Sequence, residues 1–341
     1  MEFTSFKNAS LKPAVGGLIL LVMQGALFAQ IPTFRQQYTQ RINSNPAMVG
    51  MGVYDGKQMG RLAMTTRAQW LSLEGRLLTQ SAGYDSRIKN TMASWAAGVA
   101  ATDLYSGMAG NAKYSHFIGS AAYAYEIPGR KLSARFGIIT QFSNYSFGTG
   151  RYTWEDQVDP NFTGFVLPTQ EPSSTMVRKA FHVGAGTLLY NNNFFLGLSV
   201  YNLNQPDISI FPGSESKLLT KFQMQTGVVL DKLIENVIIT PHVLVLQQES
   251  LNSTTINTLF KLNNLQLSLG VQRTQWLTKK NVSMTNYLGY QYGKINLGYS
   301  LDWNLTYSNG GIPLTHEISL IWLTNKAEPK RKFHQVRFPE F

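Results

Sequence analysis

The side chains that could take part in catalysis or metal binding are few and scattered along the chain. The protein has 341 residues, five histidines and no cysteine. No histidine has another histidine two or four positions away, the spacing that puts two metal ligands on one face. No glycine-rich phosphate loop and no nucleophile elbow is present. The sequence therefore predicts no enzyme activity, no metal site and no cofactor. The histidines, interpreted as structural side chains, are His116, His182, His242, His316 and His334.

A short acidic cluster is the first candidate for binding. Glu155, Asp156 and Asp159 follow Trp154, with Gln157 between them. Carboxylate oxygens suit hard cations, but this spacing does not match an EF-hand loop. Two interpretations stay open: a solvated turn, and a loop surface in which these five residues bind a partner protein.

A second candidate is the motif Asn45-Pro46-Ala47-x-x-Gly50. Proline holds its own φ near the helical value, while asparagine and glycine suit turn positions. The motif precedes the first predicted strand. It could therefore fold back as a plug inside a barrel formed by the predicted strands, or it could be an ordinary turn that leads the chain into the first of them.

The C-terminal end is basic and aromatic. Aromatic residues between cations can anchor a tail that becomes ordered on binding, although most termini stay solvated. The residues that we expect to dock on a partner protein are Lys330, Arg331, Lys332, Phe333, Arg337, Phe338 and Phe341.

The N-terminal 29 residues have the pattern of a secretory signal peptide. Lys7 and Lys12 precede an apolar run that ends in Ala26-Leu27-Phe28-Ala29, a small-residue cleavage pattern. The net charge of +11 comes largely from scattered basic residues. Export and this scatter both argue against nucleic acid as a partner.

The rest of the chain alternates apolar and polar residues, as half-buried strands do. In the segment 265–272, every second residue is leucine or valine and the others are small or polar. Several alternating runs reach ten residues, enough to cross a bilayer at a tilt. The sequence predicts an all-β, outer-membrane-type antiparallel barrel of about fourteen strands. They are 58–69, 75–83, 94–102, 113–127, 131–146, 177–190, 194–203, 219–230, 237–248, 254–262, 265–275, 281–291, 294–304 and 314–324.

The connections and the aromatic residues add detail to this barrel. Every second connection is a short turn, such as Asn263-Asn264, and the intervening ones are predicted to be longer, above all 147–176 and 204–218. Both chain ends would then face the periplasm, with segment 30–57 before the barrel (58–324) and tail 325–341 after it. The aromatic residues expected in interfacial girdles are Tyr123, Tyr125, Tyr287, Tyr290, Tyr292, Trp303 and Trp322.

Several short motifs occur in a characteristic order along the chain. They are 31–38 (IPTFRQQY), 45–50 (NPAMVG), 67–70 (RAQW), 121–125 (AAYAY), 156–157 (DQ), 190–191 (YN), 195–199 (FLGLS) and 316–320 (HEISL). The ordered set resembles the PorP/SprF family of outer-membrane proteins of the type IX secretion system of Bacteroidota.

That resemblance implies a non-enzymatic barrel that assists export or surface attachment of a specific partner, such as a large adhesin. Its partners would be that exported cell-surface protein, other periplasmic or lipoprotein components of the system, and outer-membrane lipid. The residues themselves leave a second hypothesis open, a pore for a small solute. Its polar lumen face would be formed by Ser133, Arg135, Gln141, Gln266, Ser268 and Asp302.

Overall fold

The structure is a computed structural model, and the features below concern its unit Phe34–Phe341. The described residues are 34–37, 39–51, 53–54, 57–58, 60–71, 76–88, 94–107, 113–129, 131–148, 176–210, 213–276, 279–306 and 314–324. The predicted signal peptide 1–29, the acidic cluster 154–159 and the tail 325–341 lie outside these residues.

Within the described residues, fourteen antiparallel strands form one closed barrel, as predicted. Each strand pairs with its neighbours in sequence, and β14 closes the barrel on β1 from Thr315↔Gln69 to Thr324↔Gly60. The strands are β1 Gly60–Gln69, β2 Leu77–Arg87, β3 Ser94–Gly107, β4 Lys113–Ile127, β5 Ser133–Gly148, β6 Met176–Tyr190, β7 Phe194–Tyr201, β8 Lys221–Val228 with its continuation Leu230–Ile234, β9 Val237–Gln248, β10 Leu251–Leu262, β11 Leu265–Trp276, β12 Lys279–Tyr292, β13 Ile295–Asn304 and β14 Leu314–Thr324.

The barrel is polar inside and apolar outside. In β11, Gln266 is 1% exposed, whereas its neighbour Leu267 is 44% exposed and Leu269 is 53% exposed. Apolar side chains on the outside of a closed barrel are stable where lipid surrounds them. The predicted polar face points inward, with Ser268 half-buried and Ser133, Arg135, Gln141, Gln266 and Asp302 buried. Among the described residues, no helix is both long and apolar enough to cross a membrane.

One aromatic prediction is wrong. Tyr287 faces the lumen, where its hydroxyl donates to Gln266 Oε1 at 3.2 Å. It shares a face with Thr285, because alternate residues of a strand point the same way. Tyr290 lies three positions further on and therefore points outward, 51% exposed.

The two ends of the barrel differ in their connections. One end, which we call the turn end, carries the tight turns 235–236, 263–264 and 293–294, where Asn263 and Gly293 have φ of +51° and +56°. The other, the loop end, carries the connection 202–220. The prediction that the connections at this end are longer than the turns is wrong for two of them, because only two residues join β9 to β10 and two join β11 to β12.

Residues 34–37 and 39–51 lie inside the barrel, and we call them the inner segment. It contains one helical turn, Arg41–Ser44, and one 3-10 turn, Pro46–Met48. Arg35 contacts the loop-end halves of β13 and β14, while Gly50 contacts the turn-end part of β2. The segment therefore runs along the lumen towards the turn end. A short ribbon, Val53–Tyr54 paired with Lys57–Gln58, precedes β1.

Candidate functional site

The start of the inner segment is held to the wall by a group of four charged side chains. One of them, Arg35, belongs to the segment, and three belong to the wall. We call the group the loop-half network: Arg35, Arg67, Asp302 and Glu317. The carboxylate of Glu317 accepts the backbone N–H of Arg35 at 2.7 Å and that of Gln36 at 2.8 Å. It also pairs with Arg67 at 3.1 Å, its direct neighbour across the seam between β14 and β1. Arg35 pairs with Asp302 at 2.8 Å. Two cations and two anions balance, as charges removed from water must.

Gln36 adds neutral contacts beside this network. Its side-chain amide donates to Ser300 Oγ at 3.1 Å and to the backbone carbonyl of Glu317 at 3.2 Å. Its amide oxygen accepts the hydroxyl of Ser319. The start of the inner segment is thus bonded through both backbone and side chains to β13 and β14.

A second charged group, the turn-end clamp, holds the end of the inner segment; it consists of Arg61, Asp85, Glu126 and Arg135. Arg135 has no exposed surface, and its Nε donates to the carbonyl of Ala47 at 2.7 Å. The same guanidinium donates to the carbonyl of Val49 and pairs with Glu126 at 2.7 Å. Asp85 accepts the N–H of Gly50 at 2.8 Å and pairs with Arg61 at 3.1 Å.

Three wall glycines leave room for the Asn45-Pro46-Ala47 turn. A Cβ at Gly137 would overlap the backbone of Pro46 and Ala47, and one at Gly186 would overlap the side chain of Asn45. A Cβ on Gly197 would lie 2.9 Å from Asn45 Nδ2. Glycine within a strand often marks such a close approach by another backbone.

The turn itself uses the residues that the motif supplies. Asn45 Oδ1 accepts the N–H of Ala47 at 2.9 Å, a helix N-cap bond, while its Nδ2 donates to the carbonyl of Thr187 at 3.2 Å. Gly50 has φ of +67°, and a Cβ there would lie 2.5 Å from that of Ala96. Asparagine and glycine are therefore both required by geometry, at the start and at the end of the motif.

Between the loop-half network and the turn-end clamp, the inner segment contacts the wall through neutral hydrogen bonds and buried apolar side chains. Gln40 donates to Thr65 at 2.9 Å and Asn43 donates to Thr102 at 3.0 Å. Ile42 is buried with alanines of β3 and β4, and Met48 is buried with Leu188 and Phe195. The segment thus contacts strands on the β1–β8 side along most of its length.

A cavity remains on the opposite side of the lumen. It lies between the inner segment and strands β9–β14 and has a volume of about 60 Å³. Arg35, Gln36 and Thr39 form its inner wall, and the barrel contributes amides and hydroxyls. The barrel side chains with such groups are Asn257, Gln266, Ser268, Thr285, Asn286, Tyr287 and Asn296. A polar cavity of this volume has room for a few water molecules.

The predicted site residues fall in different places. Asn45, Pro46, Ala47 and Gly50 are all buried inside the barrel. Trp154, Glu155, Asp156, Gln157 and Asp159, and the tail residues Lys330, Arg331, Lys332, Phe333, Arg337, Phe338 and Phe341, lie outside the described part of the chain.

The histidines do not come together as a metal site. No group of three potential ligands occurs among the described residues. His116 stacks on Tyr145 inside the barrel with ring centroids 4.0 Å apart, and His242 lines the cavity. His182 is buried beside Asn202. His316 contacts the hydroxyl of Tyr299 at 2.9 Å. His334 falls beyond the described residues.

Sequence reasoning did not identify Asp85, Glu126 or the wall glycines as contacts of the inner segment. One signal was available. Arg135 and Gly137 both occupy the predicted polar face of β5, where a glycine in a strand interior indicates a neighbouring backbone.

The loop-half network leads to a test on Glu317. In the variant Glu317→Gln, the buried Arg67 loses its closest carboxylate. The N–H of Arg35 or of Gln36 then faces the NH₂ group of the amide, which is a donor and cannot accept a hydrogen bond. We expect the free energy of unfolding to fall by about 3 kcal/mol. Urea unfolding of the barrel in detergent micelles, followed by tryptophan fluorescence, measures it. Glu235→Gln, at an exposed turn, should cost less than about 0.5 kcal/mol; equal losses in the two variants would contradict the role given to Glu317.

The connection 202–220 provides a pH-dependent test. Asp207 Oδ1 accepts the N–H of Ser216 at 2.9 Å and of Ser209 at 3.0 Å, and these bonds hold the pKa of Asp207 below its ordinary value. A carboxylate with a lowered pKa stabilises the structure above its unfolded pKa of 3.8, and this stabilisation is lost as pH falls through the folded pKa.

Pepsin cleavage within 202–220 should therefore increase from about pH 4 to about pH 2 in the wild type. Asp207→Asn should already be cleaved readily at the higher pH, so the ratio between the two proteins corrects for pepsin's own pH dependence. A ratio of wild-type to Asp207→Asn cleavage that stays constant between about pH 4 and about pH 2 would show that the Asp207 carboxylate does not stabilise this connection.

Comparison with known proteins agrees with this architecture. A family model described as "Type IX secretion system membrane protein PorP/SprF" matches residues 26–322. No curated protein matches the chain.

Two solved structures share the barrel fold. The CymD monoaromatic hydrocarbon channel is 10% identical, with 84% of this chain and 93% of that chain covered and a TM-score of 0.51. The P. putida toluene transporter TodX is also 10% identical, with 83% and 94% covered and a TM-score of 0.52. At this identity the likeness shows the fold alone.

Proposed function

Since the chain belongs to the PorP/SprF family of type IX secretion system membrane proteins and is an outer-membrane β-barrel, we propose that it is a plugged, non-enzymatic component of that system. It assists export or surface attachment of one partner protein, such as a large adhesin. The observation that carries this proposal is the inner segment, which occupies the lumen and is bonded to the wall at both ends. A barrel filled in this way acts through its surfaces rather than as an open pore.

The plug role of Asn45, Pro46, Ala47 and Gly50 is supported by burial and by charge. The clamp and the loop-half network each use ionised groups, whose hydrogen bonds are stronger than those between neutral groups. Such contacts keep the inner segment in place even near the two ends of the barrel, which are exposed to water. We propose that the lumen is closed to ions in this state.

The remaining surfaces are the loops and the tail. We assign Trp154, Glu155, Asp156, Gln157 and Asp159 to the contact with the exported protein, at the loop end facing outward. The basic tail after Thr324 is assigned to a periplasmic or lipoprotein component. Both assignments require the turn end to face the periplasm, the arrangement typical of bacterial outer-membrane barrels.

Crosslinked pull-down from outer membranes tests these surfaces separately. Replacing Glu155 and Asp156 by Gln and Asn should reduce capture of the exported protein by about tenfold, as loss of a charged hot spot does, and should leave the periplasmic component bound. Truncation after Thr324 should have the opposite effect. Unchanged capture in both variants, with normal amounts of barrel in the membrane, would overturn the proposal.

A second candidate function is a pore for a small solute, and the cavity lined by amides and hydroxyls beside the inner segment favours it. CymD is described as a channel and TodX as a transporter. Planar bilayers separate the two functions. Steady, ion-selective current from the purified wild-type barrel would support the pore and contradict the plug.

A further inference from the structure

We propose that the lumen wall is a peptide-binding site that can also hold, in place of the inner segment, a peptide from a second polypeptide chain. The peptide class is a segment that contains an Asn-Pro-Ala turn and has glycine three residues after the alanine. This inference goes beyond the proposed function, because it assigns binding to the lumen rather than to the loops or tail.

The first argument is that the wall recognises backbone groups. Glu317 accepts the N–H groups of Arg35 and Gln36, at 2.7 and 2.8 Å. Arg135 donates to the carbonyl of Ala47 at 2.7 Å, and Asp85 accepts the N–H of Gly50 at 2.8 Å. Every peptide carries these groups, so this part of the recognition does not depend on the side chains of the bound segment.

The second argument is that the strictest steric requirements on side chains lie in the turn, while residues 35–43 add polar contacts. Asn45 bonds both to its own turn and to the carbonyl of Thr187. Position 47 is fully buried against Gly137, so it accepts only a small residue. Gly50 has a positive φ, and a Cβ added there would lie 2.9 Å from the backbone of Ser86. These positions define a short motif that another chain can supply.

The third argument is that departure of the inner segment leaves a wall partner for each charge that bonds its backbone. Glu317 keeps Arg67 at 3.1 Å, Asp85 keeps Arg61 at 3.1 Å, and Arg135 keeps Glu126 at 2.7 Å. A buried charge without a partner is strongly destabilising, and these three groups avoid that cost when one peptide replaces another. Asp302 loses Arg35 at 2.8 Å and keeps Arg67 at 3.7 Å, so one charge contact is weakened when the segment leaves.

The test makes the inner segment a separate peptide after folding. A protease site is inserted between Tyr54 and Lys57, and the full-length barrel is purified, folded and then cleaved in detergent. A fluorescent synthetic peptide of residues 34–51 is added, and anisotropy reports its binding. We expect the labelled peptide to exchange with the resident segment and to saturate.

Variant peptides test the stated motif. Asn45→Ala and Gly50→Val should each weaken binding by about tenfold or more, since loss of an N-cap and a strained positive φ each cost on the order of 1–2 kcal/mol. A scrambled peptide of the same composition should not bind. Thr39→Ala, which removes one hydrogen bond of 3.5 Å to Gln36 outside the turn, is the matched control and should bind within about threefold of the parent peptide.

A second measurement uses planar bilayers. Current through the cleaved barrel should rise when the released segment is diluted away and fall when peptide 34–51 is added. A cleaved barrel that retains its segment and takes up no labelled peptide would overturn the inference, as would equal binding of the scrambled peptide. Either failure leaves the pull-down result intact, so it can be distinguished from failure of the proposed function.

Discussion

Replacing Gly137 with alanine should raise the ion conductance of the purified barrel about tenfold or more. The added Cβ would overlap the backbone of Pro46 and Ala47, which cannot move aside as the end of a flexible side chain can. Overpacking of this kind typically costs about 1–3 kcal/mol, and the inner segment can avoid it by leaving the wall. The barrel itself should tolerate the change, because alanine within a strand is no worse than glycine.

Gly119→Ala is the matched control for this experiment. Gly119 lies in β4, and a Cβ there would have its nearest neighbours at 3.8 and 3.9 Å, an ordinary contact distance. Its conductance in planar bilayers should equal that of the wild type. If Gly137→Ala stays closed while the folded barrel is recovered in normal yield, then the inner segment does not close the lumen.

The second large effect is expected for Arg135→Met. Methionine has a similar length but no donors, so the carbonyls of Ala47 and Val49 lose their partner and Glu126 loses one of its two arginines. Removing one member of a buried ion pair typically costs about 3–5 kcal/mol. We expect a loss of this size in the free energy of unfolding, measured by urea titration in micelles.

Arg178→Met provides the comparison at an exposed position. Arg178 pairs with Asp207, and the two side chains are 42% and 28% exposed. An exposed pair contributes about 0–1 kcal/mol, because solvent screens it. If Arg135→Met costs no more than Arg178→Met, the turn-end clamp does not stabilise the barrel.

Much of the barrel could be predicted because its pattern is local. The predicted strands 113–127, 237–248 and 314–324 have the observed bounds of β4, β9 and β14. β2 was predicted to end at residue 83 but continues to Arg87. Its last residues include Asp85, whose buried carboxylate pairs with Arg61 and accepts the N–H of Gly50. Neither partner is near it in sequence.

In the site, too, the contacts between residues that are distant in sequence could not be predicted. The motif residues Arg35, Arg67 and Glu317 are far apart in the chain, and no spacing rule relates them. They meet because β14 closes on β1 in a register that places Glu317 opposite Arg67, and because the inner segment reaches that seam. Gly137 likewise has a role only when the turn at Pro46 lies against it.

The sequence alone determined that this protein is a barrel with a polar interior, about fourteen strands and tight asparagine and glycine turns. Side-chain alternation and turn propensity act over a few residues, so they can be read along the chain. Only the tertiary structure decided what fills the lumen and which charges hold it. Those contacts join residues separated by up to 283 positions, and their energy depends on burial and geometry that exist only after the barrel has closed.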